Sequence, residues 1–131
     1  KVVFADSAAR TRLEAILHPR IAQAWRDQVK RWQASGERTV AVLIPLLFER
    51  GYDAEFTACV TVACSPTTQR LRLRQRGWPD AEIDSRNRAQ LPVADKMARA
   101  RFVIWTEGTL EVHSRQWDRI LDCLTGGGGV A

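Results

Sequence analysis

The chain is short of the features that would let it cross a membrane or be stapled by disulfides. Its longest apolar run, Val40 to Phe48, has nine residues, against the roughly 20 that a spanning helix needs, so a soluble protein is expected. Cysteine is scarce. Cys59, Cys64 and Cys123 make neither an even disulfide framework nor a zinc-like spacing, and two of them lie in apolar strand- or helix-like surroundings, which predicts buried free thiols in a reducing cytoplasm. The sequence opens on Lys1 rather than Met, and Lys1-Val2-Val3-Phe4 is too short for a signal-peptide core, so a start within a longer protein is the expectation. Half of the eight glycines are consecutive at 126–129. No Lys-Ser/Thr and no helix follows them, which excludes a phosphate-binding loop there and predicts a flexible tail over 125–131.

What remains is enough for one domain: 131 residues, 45% hydrophobic, with no internal repeat and no composition shift before the tail. The net charge of +5 is uneven. Residues 70–101 hold eight arginines and Lys96 against Asp80, Glu82, Asp84 and Asp95. That surplus attracts anions, and the planar guanidinium suits both phosphate oxygens and the face of a base, so nucleotide and nucleic acid are admissible partners. A solvated Arg-rich face fits the composition equally well.

Local patterns place the elements. Asp6 or Ser7 can cap a helix carrying Leu13, Ile16 and Leu17, and Pro19 is expected to stop it at His18. A second helix carries Ile21, Trp25, Val29 and Trp32 and ends at Ser35-Gly36. Thr39 to Ile44 is a continuous β-branched run that predicts a parallel strand covered on both faces, stopped by Pro45. Ala58 to Ala63 is a second such run. Ser65-Pro66 then supplies an N-cap and a proline at the first helical position, opening a helix to about Arg76 that Gly77 closes. Further helical segments are expected from Pro79-Asp80 to Ala89 and from Pro92 to about Ala98, then a strand Phe102–Trp105. A final helix bears Leu110, His113, Trp117, Ile120, Leu121 and Leu124 on one stripe. Strands alternating with helices indicate an α/β fold with a mostly parallel sheet. The paired tryptophans and His113 are expected to be core or interface residues rather than ligands.

In such a sheet, ligands gather beyond the C-terminal ends of the strands. There the sequence has Pro45-Leu46-Leu47-Phe48-Glu49, Ser65 and Trp105 to Gly108. The strand end Ile44 to Glu49, about 25 residues after Leu17-His18-Pro19, resembles the dephospho-CoA kinase family. The resemblance extends in order through Ala8-Ala9-Arg10 with Leu13-Glu14, Ser65-Pro66, Gln69 with Arg72, Arg76-Gly77, Arg86 with Gln90, Lys96, and Val103-Ile104 leading to Gly108.

The resemblance implies a P-loop kinase-like three-layer α/β fold over residues 1–124, with a helical lid at about 77–98 and the family's N-terminal strands absent from the chain. It implies transfer of the γ-phosphoryl of ATP, with Mg2+, to the ribose 3′-hydroxyl of dephospho-CoA, the last step of coenzyme A synthesis. Arg76 and Arg86 would then act on the phosphates. Arg72, Lys96, Thr106 and Gly108 would join them around ATP, and His18 with Pro45, Leu46, Leu47, Phe48 and Glu49 would line the acceptor side. From the residues themselves, His18 equally reads as a helix terminator and Glu49 as a cap on a neighbouring helix. Arg76 and Arg86 could simply pair with Asp80 or Asp84.

Two positions depart from the family pattern: Arg101 stands for an acidic residue and Thr106-Glu107-Gly108 for an Asn-x-Gly turn that helps hold adenine. The family's Gly-Lys-Ser/Thr loop, its magnesium ligands and its aspartate base would lie upstream, so these residues alone are expected to be inactive. A polyanion- or RNA-binding module, and a P-loop kinase acting on another small acceptor, are the competing readings.

Overall fold

A computed structural model describes residues 7–126. The chain divides into two compact units, Lys1–Leu43 and Ile44–Ala131.

The first unit is dominated by helix α1, Ser7–Ala34. It does not stop at His18: Pro19 lies inside a continuous helix. An internal proline removes one backbone bond and costs about 3 kcal/mol, but the Ala-, Leu- and Arg-rich turns on both sides propagate favourably and outweigh one missing bond. The helix ends where expected. Ser35 Oγ donates to the Trp32 carbonyl at 2.9 Å and Glu37 N–H reaches the same oxygen at 3.0 Å, around Gly36 at φ +80°. Ala22 is buried, whereas Leu13, Ile16, Leu17 and Ile21 are exposed.

The run Thr39 to Ile44 forms no strand; it carries neither helix nor ladder, and Leu43 is 94% exposed. A strand exists only by pairing, and among the described residues no segment pairs with this one. Its β-branched composition is therefore not sufficient.

The second unit opens with turns over residues 45–51 and a 3-10 turn, Tyr52–Glu55. Strand β1 (Val60–Ala63) leads into helix α2 (Pro66–Gln75), α3 (Asp80–Arg88), α4 (Val93–Arg99), strand β2 (Phe102–Trp105) and helix α5 (Leu110–Thr125). β1 and β2 pair in parallel, Val60 opposite Phe102 and Ala63 opposite Trp105. This is the α/β class with a parallel sheet. On β1, Thr61 and Ala63 are buried while Val62 is 62% exposed, so the strand is covered on one face rather than both. The small core comprises Phe48, Cys59, Ala63, Ile83, Ile104 and Ile120.

Local chemistry explains the ends. Ser65 Oγ accepts from Thr68 N–H at 3.2 Å with Pro66 next in line, satisfying one free donor of α2. Gly77 takes φ +80° after Arg76. Thr109 caps α5 through Val112 N–H. On α5, Ile120 is buried and His113 half-buried as expected, but Leu110 is 83% exposed at the first turn. The cysteines are all free: Cys59 is buried and Cys64 half-buried, but Cys123 is exposed on α5, contrary to the expectation of a buried thiol.

Candidate functional site

Two groups of the sequence-selected residues come together in the second unit. The first lies at the C-terminal ends of both strands. Thr106 follows β2; its N–H reaches the Ala63 carbonyl at 2.8 Å and its Oγ1 donates to the same oxygen at 3.0 Å. Arg72, projecting from α2, donates to Thr106 Oγ1 at 3.0 Å and also to the Thr106 carbonyl. Glu107 then accepts from the Ser65 N–H at 2.7 Å. Hydrogen bonds from Ser65 and Thr68 hold the Glu107 carboxyl below the usual range, with the Arg72 charge assisting. This turn is thus tied to α2 from both sides. At Gly108 an added Cβ would sit 3.2 Å from Val112 Cβ, so the turn packs closely on α5 and a side chain there would require Val112 to shift by a few tenths of an ångström. Gln116 of α5 completes the edge of β2, accepting from Trp105 N–H at 2.9 Å and donating to its carbonyl at 3.0 Å.

The second group joins the Pro45–Glu49 segment to α4. Phe48 is buried. Glu49 Oε1 lies 2.7 Å from Lys96 Nζ, with side chains only 15% and 17% exposed, and also accepts from Leu91 N–H at 3.1 Å. Burial pushes the Glu49 carboxyl up, but the bonds from Lys96 and from the backbone N–H groups of Glu49 and Leu91, with the Lys96 charge, outweigh it and hold the group low. Glu49 Oε2 is enclosed and has no hydrogen-bond partner among the described residues. Arg99 donates to the Phe48 carbonyl at 3.3 Å, stacks 5.0 Å over its ring and pairs with Asp53 at 3.0 Å. Glu49 does not cap α4, whose N-cap is Pro92 and has no side-chain cap; it bonds Leu91 just before the helix and meets Lys96 within it.

Between these groups lie α2 and α3. Asp80 pairs with Arg70 and Arg74, at 3.2 and 2.7 Å, and Asp84 with Arg70, while Asn87 donates to Gln69 at 3.1 Å. Arg74 first, then Arg70, draws the Asp80 carboxyl down to about 2. Neither Asp80 nor Asp84 bonds Arg76 or Arg86 in these contacts. Arg86 pairs instead with Glu82 at 2.8 Å and stacks 4.3 Å over the Trp78 ring. Arg76 is exposed at the C-cap of α2 and its guanidinium takes no partner among the described residues; Arg88 is in the same situation. His18 lies on α1 in the first unit.

A cavity of about 350 Å³ on α2 is lined by Pro66, Thr67, Arg70, Leu71 and Arg74. Arg70 and Arg74 come from the Arg-rich stretch 70–101, but none of the candidate ATP- or acceptor-binding residues lines it. Among the described residues no three His, Cys, Asp or Glu side chains stand close enough to hold a metal. The residues that reasoning from the sequence passed over are Asp53, Gln116 and the anchoring role of Glu107. Only Glu107 had a signal, as a departure from the family turn.

The arrangement is that of an α/β protein with polar turns at the tips of parallel strands and an Arg-bearing helical segment following the first of them. The family profile described as dephospho-CoA kinase matches residues 1–111. The dephospho-CoA kinase of Anaeromyxobacter dehalogenans is 44% identical over 128 residues, 97% of this chain and 61% of that protein. That of Rhodopseudomonas palustris is 39% identical over 120 residues, 91% of this chain and 60% of that protein. The crystal structure of TT1252 from Thermus thermophilus superposes with a TM-score of 0.68 at 30% identity, covering 94% of this chain and 63% of that one. The chain belongs to the dephospho-CoA kinase family. It spans about six-tenths of the length of the curated relatives it matches. No helix among the described residues is long and apolar enough to cross a membrane.

Proposed function

We propose that the protein containing this chain is a cytoplasmic dephospho-CoA kinase, transferring the γ-phosphoryl of ATP to the ribose 3′-hydroxyl of dephospho-CoA. In that step the acceptor oxygen forms a bond to phosphorus, the bond to the ADP oxygen breaks and the hydroxyl proton passes to a base. The observation that carries the reading is the family match over residues 1–111.

This chain's own share of the work is positioning and charge. Arg76, exposed and with no partner for its guanidinium among the described residues, is the residue best placed to meet phosphate oxygens. Arg86, stacked on Trp78, is held ready on α3, and residues 77–98 would act as a lid that excludes water. Arg72 fixes the turn at Thr106 and Gly108 on the nucleotide side, while Lys96, a candidate ATP contact by the family pattern, is engaged by Glu49 and Gln90. Pro45, Leu46, Leu47, Phe48 and Glu49 would line the acceptor side; His18, on α1 of the first unit, is a candidate by the family pattern alone. Magnesium, when bound with ATP, would neutralise charge on the phosphates; its ligands are expected outside the described residues. β1 pairs on one side only among the described residues, which supports a further strand beside it in the whole protein, and Val62, exposed on one face, supports a layer covering that face.

The charge distribution speaks against a polyanion-binding surface. Of the eight arginines in 70–101, Arg70, Arg72, Arg74, Arg86 and Arg99 are already hydrogen-bonded within the fold and Arg101 stacks on Phe102. Steady-state assays of the full-length protein with ATP test the proposal: saturable phosphorylation of dephospho-CoA, with nucleoside monophosphates poor acceptors, is the expected result. Preference for a nucleoside monophosphate or another small alcohol would replace the acceptor, and salt-sensitive RNA binding without turnover would replace the class.

A further inference from the structure

Ion pairs on α2 and α3 are more than a third exposed, and such pairs contribute little. Glu49–Lys96 is different, with both side chains less than a fifth exposed and an oxygen–nitrogen distance of 2.7 Å. Removing two charges from water is costly, and a hydrophobic pair often does as well for stability, so an ion pair kept here calls for a geometric explanation.

Its surroundings supply one. The Glu49 oxygen that meets Lys96 also receives Leu91 N–H at 3.1 Å, and Lys96 Nζ donates to Gln90 Oε1 at 3.0 Å. Two side chains thereby gather the whole link between α3 and α4. The Lys96 carbonyl accepts from Thr61 Oγ1 at 3.1 Å, tying α4 to β1. One turn further, Arg99 holds the Phe48 carbonyl and Asp53. The Pro45–Glu49 segment is therefore fastened at neighbouring points to a helix that is itself fastened to the sheet.

We infer that Glu49 and Lys96 are positioning residues, whose ion pair sets the Pro45–Glu49 segment and the Gln90–Pro92 link between α3 and α4 in one register. The inference rests on the kinase reading above and adds a role that contact with ATP or acceptor does not describe. A misplacement of about 1 Å at a reaction centre can cost on the order of 100-fold in rate. Loss of the pair loosens both sides of the cleft together, and the effect falls on kcat.

A double-mutant cycle in the full-length protein, with E49Q, K96Q and E49Q/K96Q, tests this. Kinetics are normalised to folded protein, and Leu91 amide exchange is followed by NMR. Each single substitution is expected to lower kcat about tenfold or more while the KM for ATP changes less than about twofold, and the double variant is to be no worse than the poorer single. Leu91 should exchange faster in E49Q than in the wild type. Should K96Q fail to fold, K96R takes its place and recovers part of the rate because the charge remains. Losses that multiply in the double variant, or a lowered thermal midpoint with kcat unchanged, overturn the inference while leaving the kinase reading standing. A wild type that does not phosphorylate dephospho-CoA overturns both.

Discussion

Arg72 grips Thr106 twice, donating to its hydroxyl at 3.0 Å and to its carbonyl. The fork of a guanidinium makes this possible; an ammonium offers no such planar pair of donors. The turn after β2 is thereby held against α2 at the strand tips, where the nucleotide side of the proposed site lies.

Breaking the grip has a defined expectation. R72A should raise the KM for ATP about tenfold, equivalent to about 1.4 kcal/mol, with the KM for dephospho-CoA little changed. R72K should recover only part of the loss. Equal rises in both KM values would show that the turn does not belong to the nucleotide side.

The α2–α3 contact should be sensitive to acid. Asp80 is held at about 2 against an ordinary value of 3.8, so its interaction with Arg74 and Arg70 is fully present above pH 3.8 and is lost as pH falls through about 2. Carboxyl NMR should show Asp80 titrating at the low value, and D80N should abolish the change in α3 amide protection, measured relative to intrinsic exchange rates, over that window. A normal titration for Asp80 would contradict the ion pairing.

The three thiols should react in a fixed order. Burial, then the nearby Asp53 charge, pushes the Cys59 thiol up, and its Sγ faces the Asp53 carbonyl at 3.6 Å. Cys123 is exposed. Alkylation of the native protein, followed by mass spectrometry, should modify Cys123 first and Cys59 last.

Much of this fold is legible in short-range chemistry. Ser65-Pro66 and Gly77 mark both ends of α2, and Phe102–Trp105 is a strand over those very residues. S65A should accordingly lower stability by about 1 kcal/mol, the usual worth of an N-cap, read as a fall in the denaturant midpoint. The failures are of another kind. Pro19 is accommodated because the turns around it are good helix formers. Thr39 to Ile44 lacks a strand because pairing depends on a neighbour that its own composition cannot specify.

The site divides in the same way. Arg72 and Thr106, and Glu49 and Lys96, were each selected singly from family-like positions, and the structure joins them as pairs. Which acid meets which arginine was not legible: Asp80 serves Arg70 and Arg74, at separations of 10 and 6 residues, and only the crossing of α2 and α3 decides it.

Arg76 remains the residue on which the functional account turns. Steady-state phosphorylation of dephospho-CoA by the full-length protein, wild type against R76A, is the most direct measurement. The account predicts saturable turnover in the wild type and a fall in kcat/KM for ATP of about 100-fold or more in R76A, about 2.7 kcal/mol at 1.36 kcal/mol per decade, with the KM for dephospho-CoA within about twofold. An R76A variant as active as the wild type, or a wild type that leaves dephospho-CoA unphosphorylated, would contradict it.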